Sequence, residues 1–303
     1  MFIARLRKTG IIAALLMSGA LLAACGSSDQ APTSEGEKAP GRANVDAMTR
    51  EHATDTTTPS AAAEIAPAQA VISEKLPYAE LGDTLVYGYF VAPADMFEPL
   101  PAVIMIHEWW GLNDNIRAMA DRLAGEGYIV LAVDLYGGKV AKNIAEARQF
   151  MLSVVEDPES ANENIRSAYK FVNETAGAPR VGSLGWCFGG GWSLNMAQLF
   201  PEDLDATVIY YGQVTNDEDK LRPINSPILG LFAEKDTGIK ISSVKAFEKA
   251  LANLRKNYDI HIYPGVGHAF ANPTGNNYNE PAATDAWRRT LEFLDLHLSV
   301  DAS

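Results

Sequence analysis

Short apolar runs alternate with longer amphipathic stretches from about residue 84 to residue 298, and this alternation constrains the fold most strongly. Continuous or period-two apolar runs predict strands at residues 84–91, 102–106, 128–133, 181–184, 207–211, 228–232 and 260–263. Apolar spacing of three to four residues predicts helices at residues 116–123, 145–155, 165–172, 192–199, 244–254 and 286–298. Such alternation predicts an α/β fold, a mostly parallel sheet with helices on both faces. In these sheets functional side chains gather at the carboxyl ends of the strands.

The N-terminus has the pattern of a secretory signal. Arg5, Arg7 and Lys8 precede an apolar run at residues 11–22, and small residues follow. That run is shorter than the roughly 20 apolar residues that span a bilayer. We therefore expect a signal peptide at residues 1–24.

The sequence Leu22-Ala23-Ala24-Cys25 resembles the bacterial lipobox. The resemblance implies that Cys25 becomes the mature N-terminus and carries a diacylglyceryl group, and several acyl chains anchor a protein stably. Gly26 rather than Asp after this cysteine favours the periplasmic side of the outer membrane, if the source has two membranes. The alternative is an ordinary signal peptide with an incidental cysteine.

Residues 25–75 are rich in Ser, Thr, Ala and Pro and show no sustained apolar period. Such a segment buries too little surface to offset its ordering entropy, so we expect a flexible, lipidated tether followed by a folded domain at residues 76–303. The formal charge of −13 argues against nucleic acid as a partner.

The sequence Gly185-Trp186-Cys187-Phe188-Gly189 stands between a predicted strand and a predicted helix. It fits the G-x-S-x-G nucleophile elbow with Cys in place of Ser, and the sharp turn requires small flanking residues. Cys187 is therefore the candidate nucleophile, unpaired with Cys25, and the Phe188 N–H points to an oxyanion hole. The alternative is a small buried cysteine that only fills the core.

A nucleophile of this kind needs an acid and then a base from later strand ends. Asp236 follows the run at residues 228–232, and His268 follows the run at residues 260–263. Glu234 is the rival acid. The rival bases are His107, His261 and His297.

With elbow, acid and base in this order, the chain resembles the dienelactone hydrolase family over roughly residues 76–298, which implies an α/β-hydrolase fold. The resemblance implies that Cys187 is the nucleophile, His268 the general base and Asp236 the acid that orients it. The motif Ile106-His107-Glu108-Trp109-Trp110-Gly111 also matches. It implies that Glu108 pairs with the resting thiol until substrate binds, and that the backbone N–H of Trp109 completes the oxyanion hole.

The departures from the family concern the substrate. The family's bacterial members hold a substrate carboxylate with two arginines, and Asn272 occupies the position of one of them. A neutral amide replaces a bidentate guanidinium poorly, so dienelactone itself is not the expected substrate. Tyr136 and Phe270 join Asn272 as candidate pocket residues.

These features predict a hydrolase of carboxylic esters or lactones that acts through a covalent thioester. The expected partners are a small ester or lactone substrate and, through Cys25, a membrane. The sequence shows no cofactor motif and no spacing of Cys and His typical of a metal site. The alternative is a catalytically reduced lipoprotein that keeps the scaffold to bind an envelope ligand or partner.

Overall fold

The computed structural model describes residues 40–53, 65–96 and 98–299. The predicted signal peptide and Cys25 lie outside the described residues. Among the described residues, no helix has both the length and the apolar character needed to cross a bilayer.

One sheet organises this part of the chain. Its eight strands are β1 (Val71–Leu81), β2 (Thr84–Pro93), β3 (Ala102–Ile106), β4 (Ile129–Val133), β5 (Val181–Trp186), β6 (Ala206–Tyr210), β7 (Ile228–Ala233) and β8 (Tyr258–Tyr263). They lie in the order β1-β2-β4-β3-β5-β6-β7-β8. β2 is antiparallel to β1 and β4, and every later pair is parallel, so the prediction of a mostly parallel sheet is confirmed.

The folded domain begins before the expected boundary at residue 76, because β1 starts at Val71. Most side chains of this edge strand are only half-buried or exposed, and their polar character hides the strand in the sequence. A two-residue turn joins β1 to β2, with Gly82 at φ 58°. Only a residue that tolerates this left-handed conformation fits such a turn well.

The α-helices of the described residues are α1 (Pro40–Glu51), α2 (Asp114–Ala124), α3 (Ile144–Glu156), α4 (Pro158–Lys170), α5 (Phe188–Leu199), α6 (Glu218–Leu221), α7 (Ile241–Asn253) and α8 (Glu280–Leu298). A π-helical segment, Phe171–Thr175, follows α4. Side chains cap several of them: the oxygen of Asn113 accepts from the N–H of Ile116, and Asn279 accepts from Ala282. Such caps satisfy N–H groups that lack partners within the helix.

Helix α1 corrects the expectation of a flexible tether for residues 40–51. Val45 and Met48, three residues apart, are fully buried against the domain, as is His52 just after the helix. Short helices gain most of their stability from tertiary packing rather than from intrinsic propensity. The apolar stripe here is too short to stand out from a polar segment.

The core fills both faces of the sheet, since every residue of β3, β4, β5, β6 and β7 is buried. The parallel strands end at one edge, and the candidate residues follow those ends. Glu108 comes after β3, Cys187 after β5, Asp236 after β7 and His268 after β8. The fold therefore brings the sequence candidates to a single edge.

Candidate active site

Cys187 occupies a strained turn between β5 and α5, with φ 54° and ψ −116°. Its backbone N–H donates to the Tyr210 carbonyl at 3.0 Å, and its own carbonyl accepts from the Gly190 N–H at 3.0 Å. A non-glycine residue held at positive φ costs energy and persists only where its surroundings impose it.

Glycines make this turn possible. A Cβ at Gly185 would lie 2.1 Å from the Gly189 carbonyl oxygen, and a Cβ at Gly189 would lie 2.2 Å from the Ile106 carbonyl oxygen. Both separations are far below van der Waals contact, so larger residues would force the elbow apart. The small flanking residues of the motif thus have a steric cause.

His268 and Asp236 form a buried pair beside the elbow. His268 Nδ1 lies 2.6 Å from Asp236 Oδ2, and the other carboxylate oxygen accepts from the N–H groups of Gly238 and Ile239 at 2.8 and 2.7 Å. His268 Nε2 is buried, and the group with which it interacts is the Cys187 thiol. The carboxylate therefore holds the ring with Nδ1 bonded and Nε2 available.

The electrostatics of this group favour a thiolate beside an imidazolium. Burial alone would raise the pKa of Cys187, but His268 and then His52 outweigh it and lower that pKa to about 6. Burial opposes the charge of His268, yet Asp236 and Cys187 raise its pKa well above the ordinary value. Each partner stabilises the charged form of the other.

Glu108 lies buried next to Tyr211 and Asn272. Asn272 Nδ2 donates to one carboxylate oxygen at 2.9 Å, and the Tyr211 hydroxyl lies 3.5 Å from the other. Burial, followed by the charges of Glu108 and Cys187, raises the pKa of Tyr211 well above its usual value. Asn272 therefore holds the carboxylate of Glu108, a role that sequence reasoning did not foresee.

The two candidate oxyanion donors sit at matching strand ends. Phe188 is the first residue of α5, where N–H groups have no partner within the helix. Trp109 lies in the turn after β3 that is closed by the Gly111 N–H and the Glu108 carbonyl at 3.1 Å.

The rival residues have structural contacts instead. His107 Nε2 accepts from the Leu135 N–H at 3.1 Å, while Nδ1 lies 2.6 Å from the Glu108 carbonyl, so this ring braces two loops. Glu234 accepts from the Gly265 N–H at 2.8 Å. His261 on β8 packs against Tyr263, and His297 on α8 packs against Phe293.

The candidate pocket aromatics differ in position. Tyr136 packs against Phe188 with ring centroids 5.7 Å apart, and its buried hydroxyl makes no hydrogen bond. Burial and then the nearby Cys187 charge raise its pKa. Phe270 instead packs between Tyr211 and Tyr263 at 5.2 and 4.8 Å, which makes it a support for Tyr211 in this state.

Helix α1 and the turn after it contribute two site residues that sequence reasoning missed. Met48 Sδ lies 3.5 Å and His52 Nε2 lies 3.6 Å from Cys187 Sγ. The His52 ring stacks on Trp109 with centroids 4.7 Å apart. The spacing of Val45, Met48 and His52 at i, i+3 and i+7 was the available signal.

Two polar contacts fasten α1 over this edge. Arg148 on α3 pairs with Asp46 at 2.8 Å. Glu51 accepts at 2.9 Å from the N–H of Thr237, the residue that follows Asp236. A substrate carbonyl must come within about 3–3.5 Å of the attacking atom. Met48 and His52 now occupy that distance, so the structure is a closed state of the site.

Known proteins resemble this chain over most of the sheet. Residues 86–298 match the dienelactone hydrolase family. A relative from Saccharolobus solfataricus named carboxymethylenebutenolidase is 33% identical over 233 residues, covering 65% of this chain and 89% of that protein. An Escherichia coli relative with the same name is 31% identical over 218 residues, covering 68% of this chain and 80% of that protein.

Solved structures show the same family resemblance. A Klebsiella pneumoniae protein described as a dienelactone hydrolase has 27% identity and a TM-score of 0.66, covering 74% of this chain and 98% of that one. A dienelactone hydrolase-like phosphotriesterase from metagenomic libraries, at 22% identity and a TM-score of 0.68, shares the fold over 76% of this chain and 100% of that one. These neighbours confirm the α/β-hydrolase fold. The chain belongs to the dienelactone hydrolase family and is a hydrolase that acts on lactones or esters.

Proposed function

We propose that Cys187, His268 and Asp236 act as a catalytic triad that hydrolyses esters or lactones through a thioester. The 2.6 Å contact between His268 Nδ1 and Asp236 Oδ2, beside a cysteine on a strained elbow, carries the proposal. The lowered pKa of Cys187, about 6, supports a nucleophilic thiolate near neutral pH.

The reaction has two halves. The Cys187 thiolate attacks the carbonyl carbon, and the N–H groups of Trp109 and Phe188 stabilise the oxyanion. As the carbon–oxygen bond breaks, the His268 imidazolium gives its proton to the departing alkoxide. Water then attacks the thioester with His268 as base, which releases the acid and restores the thiolate–imidazolium pair.

Glu108 gates this cycle in our proposal. Its buried carboxylate first pairs with the protonated thiol of Cys187. When substrate binds, the carboxylate turns to Asn272 and Tyr211, and the thiol proton passes to His268 to form the thiolate–imidazolium pair. The amide of Asn272 and the hydroxyl of Tyr211 offer it an alternative resting place, because both contact the carboxylate.

The substrate is a neutral ester or lactone. Asn272 stands where the family's bacterial members carry a carboxylate-binding arginine, and its amide donates to Glu108. Arg148, on α3, pairs with Asp46. An anionic acyl group would therefore lose the bidentate clamp that makes carboxylate binding strong.

The decisive experiment compares the chain from residue 26 with its Cys187→Ala, Cys187→Ser and Asp236→Asn variants in p-nitrophenyl acetate hydrolysis. We expect Cys187→Ala to lose turnover and Asp236→Asn to fall by roughly 10²–10⁴ in kcat. Acid quenching of the wild type should trap acetylated Cys187 for mass spectrometry. Equal activity of wild type and Cys187→Ala would favour the ligand-binding scaffold.

We further propose that the protein is exported and held in the cell envelope by lipid on Cys25. The support is the signal pattern of residues 1–24 and the lipobox-like Leu22-Ala23-Ala24-Cys25. The periplasmic face of the outer membrane is the proposed location in a Gram-negative source. Anchored there, the hydrolase would meet esters of the cell envelope and esters that enter from outside the cell.

A further inference from the structure

Two distant parts of the chain bring sulfur and nitrogen donors together at the elbow. Donor atoms of Cys187, His268 and His52 all lie within 4.8 Å of one another, and all three residues are buried. The Met48 thioether sulfur lies 3.5 Å from Cys187 Sγ. The set comprises two imidazoles, a thiol and a thioether, where the sequence showed no metal-binding spacing.

His268 is prepared as a ligand. Its Nδ1 is bonded to the Asp236 carboxylate at 2.6 Å, which leaves the buried Nε2 on the side of Cys187. A carboxylate behind a histidine is the usual outer partner of a metal-bound imidazole, because it fixes the ring and strengthens the donor. A bound ion would replace the proton that Cys187 and His268 share, because both ligands coordinate in their deprotonated forms.

The separations suit a small ion. Metal–sulfur and metal–nitrogen bonds of about 2.3 and 2.0 Å in tetrahedral geometry place sulfur and nitrogen about 3.5 Å apart. Cys187 Sγ and His52 Nε2 lie 3.6 Å apart. The donor atoms that lie farthest apart are separated by no more than 4.8 Å, so a shift of about 1 Å would bring them to the distance expected around one ion.

The ligand chemistry selects the ion. Imidazole accepts zinc or copper, but thiolate together with thioether favours the soft ion Cu(I). We propose that Cys187, His268 and His52, with Met48 as a fourth donor, form a Cu(I) site. Because His52 follows α1 and Cys187 is the proposed nucleophile, a bound ion holds α1 over the elbow and blocks hydrolysis.

The test measures Cu(I) affinity of the full-length protein in detergent, without oxygen, by competition with the chromophoric chelator bicinchoninate. We expect the wild type to take one Cu(I) ion per chain from the chelator. The Cys187→Ala variant should take none. His52→Ala should weaken Cu(I) binding by at least about tenfold. The matched control His297→Ala, a histidine on the terminal helix, should bind as the wild type does.

Met48→Leu preserves the size of the side chain but removes the thioether sulfur, so it distinguishes a Cu(I) site from a zinc site. It should weaken Cu(I) binding and leave Zn²⁺ binding unchanged, since the thioether is a soft donor. Circular dichroism of each variant checks that it is folded, and His52→Gln repeats the test with a side chain that still packs on Trp109. Unchanged Cu(I) affinity in folded His52→Ala and His52→Gln would overturn the site.

The binding readout does not depend on turnover, so it is independent of the proposed hydrolysis. If the enzyme turns over, Cu(I) should inhibit it, and the half-inhibiting concentration should rise in His52→Ala by the same factor as the dissociation constant. Equal inhibition of wild type and His52→Ala would mean that copper binds the thiol alone, which contradicts the proposal.

Discussion

At the scale of single residues, the charge state of Cys187 depends on its neighbours rather than on the thiol itself. Burial opposes a thiolate, and His268 and His52 reverse that effect. The pair resembles the low-pKa cysteines that act as nucleophiles beside a positive histidine. The chemistry of the site is therefore set by two rings from different parts of the chain.

A pH titration tests this assignment. The thiolate absorbance in the ultraviolet should appear with a midpoint near the Cys187 pKa of about 6, and kcat/KM should fall as the pH drops below it, because the protonated thiol is a poor nucleophile. In His268→Ala the main opposing charge is lost, so the midpoint should move upward. A midpoint that is the same in both proteins would show that His268 does not stabilise the thiolate.

At the scale of elements, the junction of β5 and α5 depends on how closely backbones approach. Gly189 faces the carbonyl oxygens of Ile106 and His107, whereas Gly191 in the same helix faces Gln213 at 3.3 Å or more. The first contacts lie far inside van der Waals distance, whereas those of Gly191, with the Cβ and backbone of Gln213, lie at 3.3 to 3.5 Å. Two glycines two residues apart therefore have different steric demands.

Substitution by alanine exposes this difference. Gly189→Ala should lower the free energy of unfolding by roughly 1–3 kcal/mol or more and abolish turnover, since the elbow must move to admit the methyl group. Gly191→Ala should be neutral or stabilising, because alanine favours a helix by up to about 1 kcal/mol over glycine. Urea unfolding of both variants measures the difference. Equal destabilisation by the two substitutions would contradict the steric explanation.

Helix α1 is the element whose position limits access to the nucleophile. Asp46 and Glu51 fasten it through Arg148 and Thr237. Partly exposed contacts of this kind contribute about 0.2–1 kcal/mol each. If α1 leaves the elbow in only a small fraction of the molecules, the apparent affinity for substrate is reduced in proportion to that fraction.

Releasing α1 should therefore raise the activity. We expect Asp46→Ala combined with Glu51→Ala to increase kcat/KM for p-nitrophenyl acetate by roughly three- to tenfold, since each 1.4 kcal/mol gives a factor of ten. Glu159→Ala, which removes the exposed pair between Glu159 and Arg166 on α4, is the matched control and should not change kcat/KM. A double variant no faster than the wild type would mean that α1 does not restrict access.

At the scale of the whole molecule, the proposed lipid anchor lies outside the residues proposed to act on the substrate. The proposed lipid site at Cys25 lies 15 positions before Pro40, where α1 begins, and 162 positions before Cys187. Cys25→Ser should move the protein from the membrane fraction to the soluble fraction while turnover per molecule stays the same. Fractionation with immunoblotting measures the first, and ester hydrolysis the second. A variant that stays with the membrane would contradict the lipid anchor.

The sequence by itself determined the strands from β2 onward, the mostly parallel sheet and the order of Cys187, Asp236 and His268. Apolar periodicity and turn chemistry are local properties, so they are visible in the printed residues. The choice between Asp236 and Glu234 was left open, because both follow β7; in the fold Asp236 contacts His268, whereas Glu234 accepts from the Gly265 N–H.

Only the tertiary structure decided what covers the nucleophile. Met48 and His52 meet Cys187 across 139 and 135 positions of sequence, and their segment carries only three residues of a helical stripe. The role of Asn272 as the partner of Glu108 spans 164 positions. Such contacts depend on where a whole segment packs, and burial against a finished surface stabilises α1 where local propensity does not.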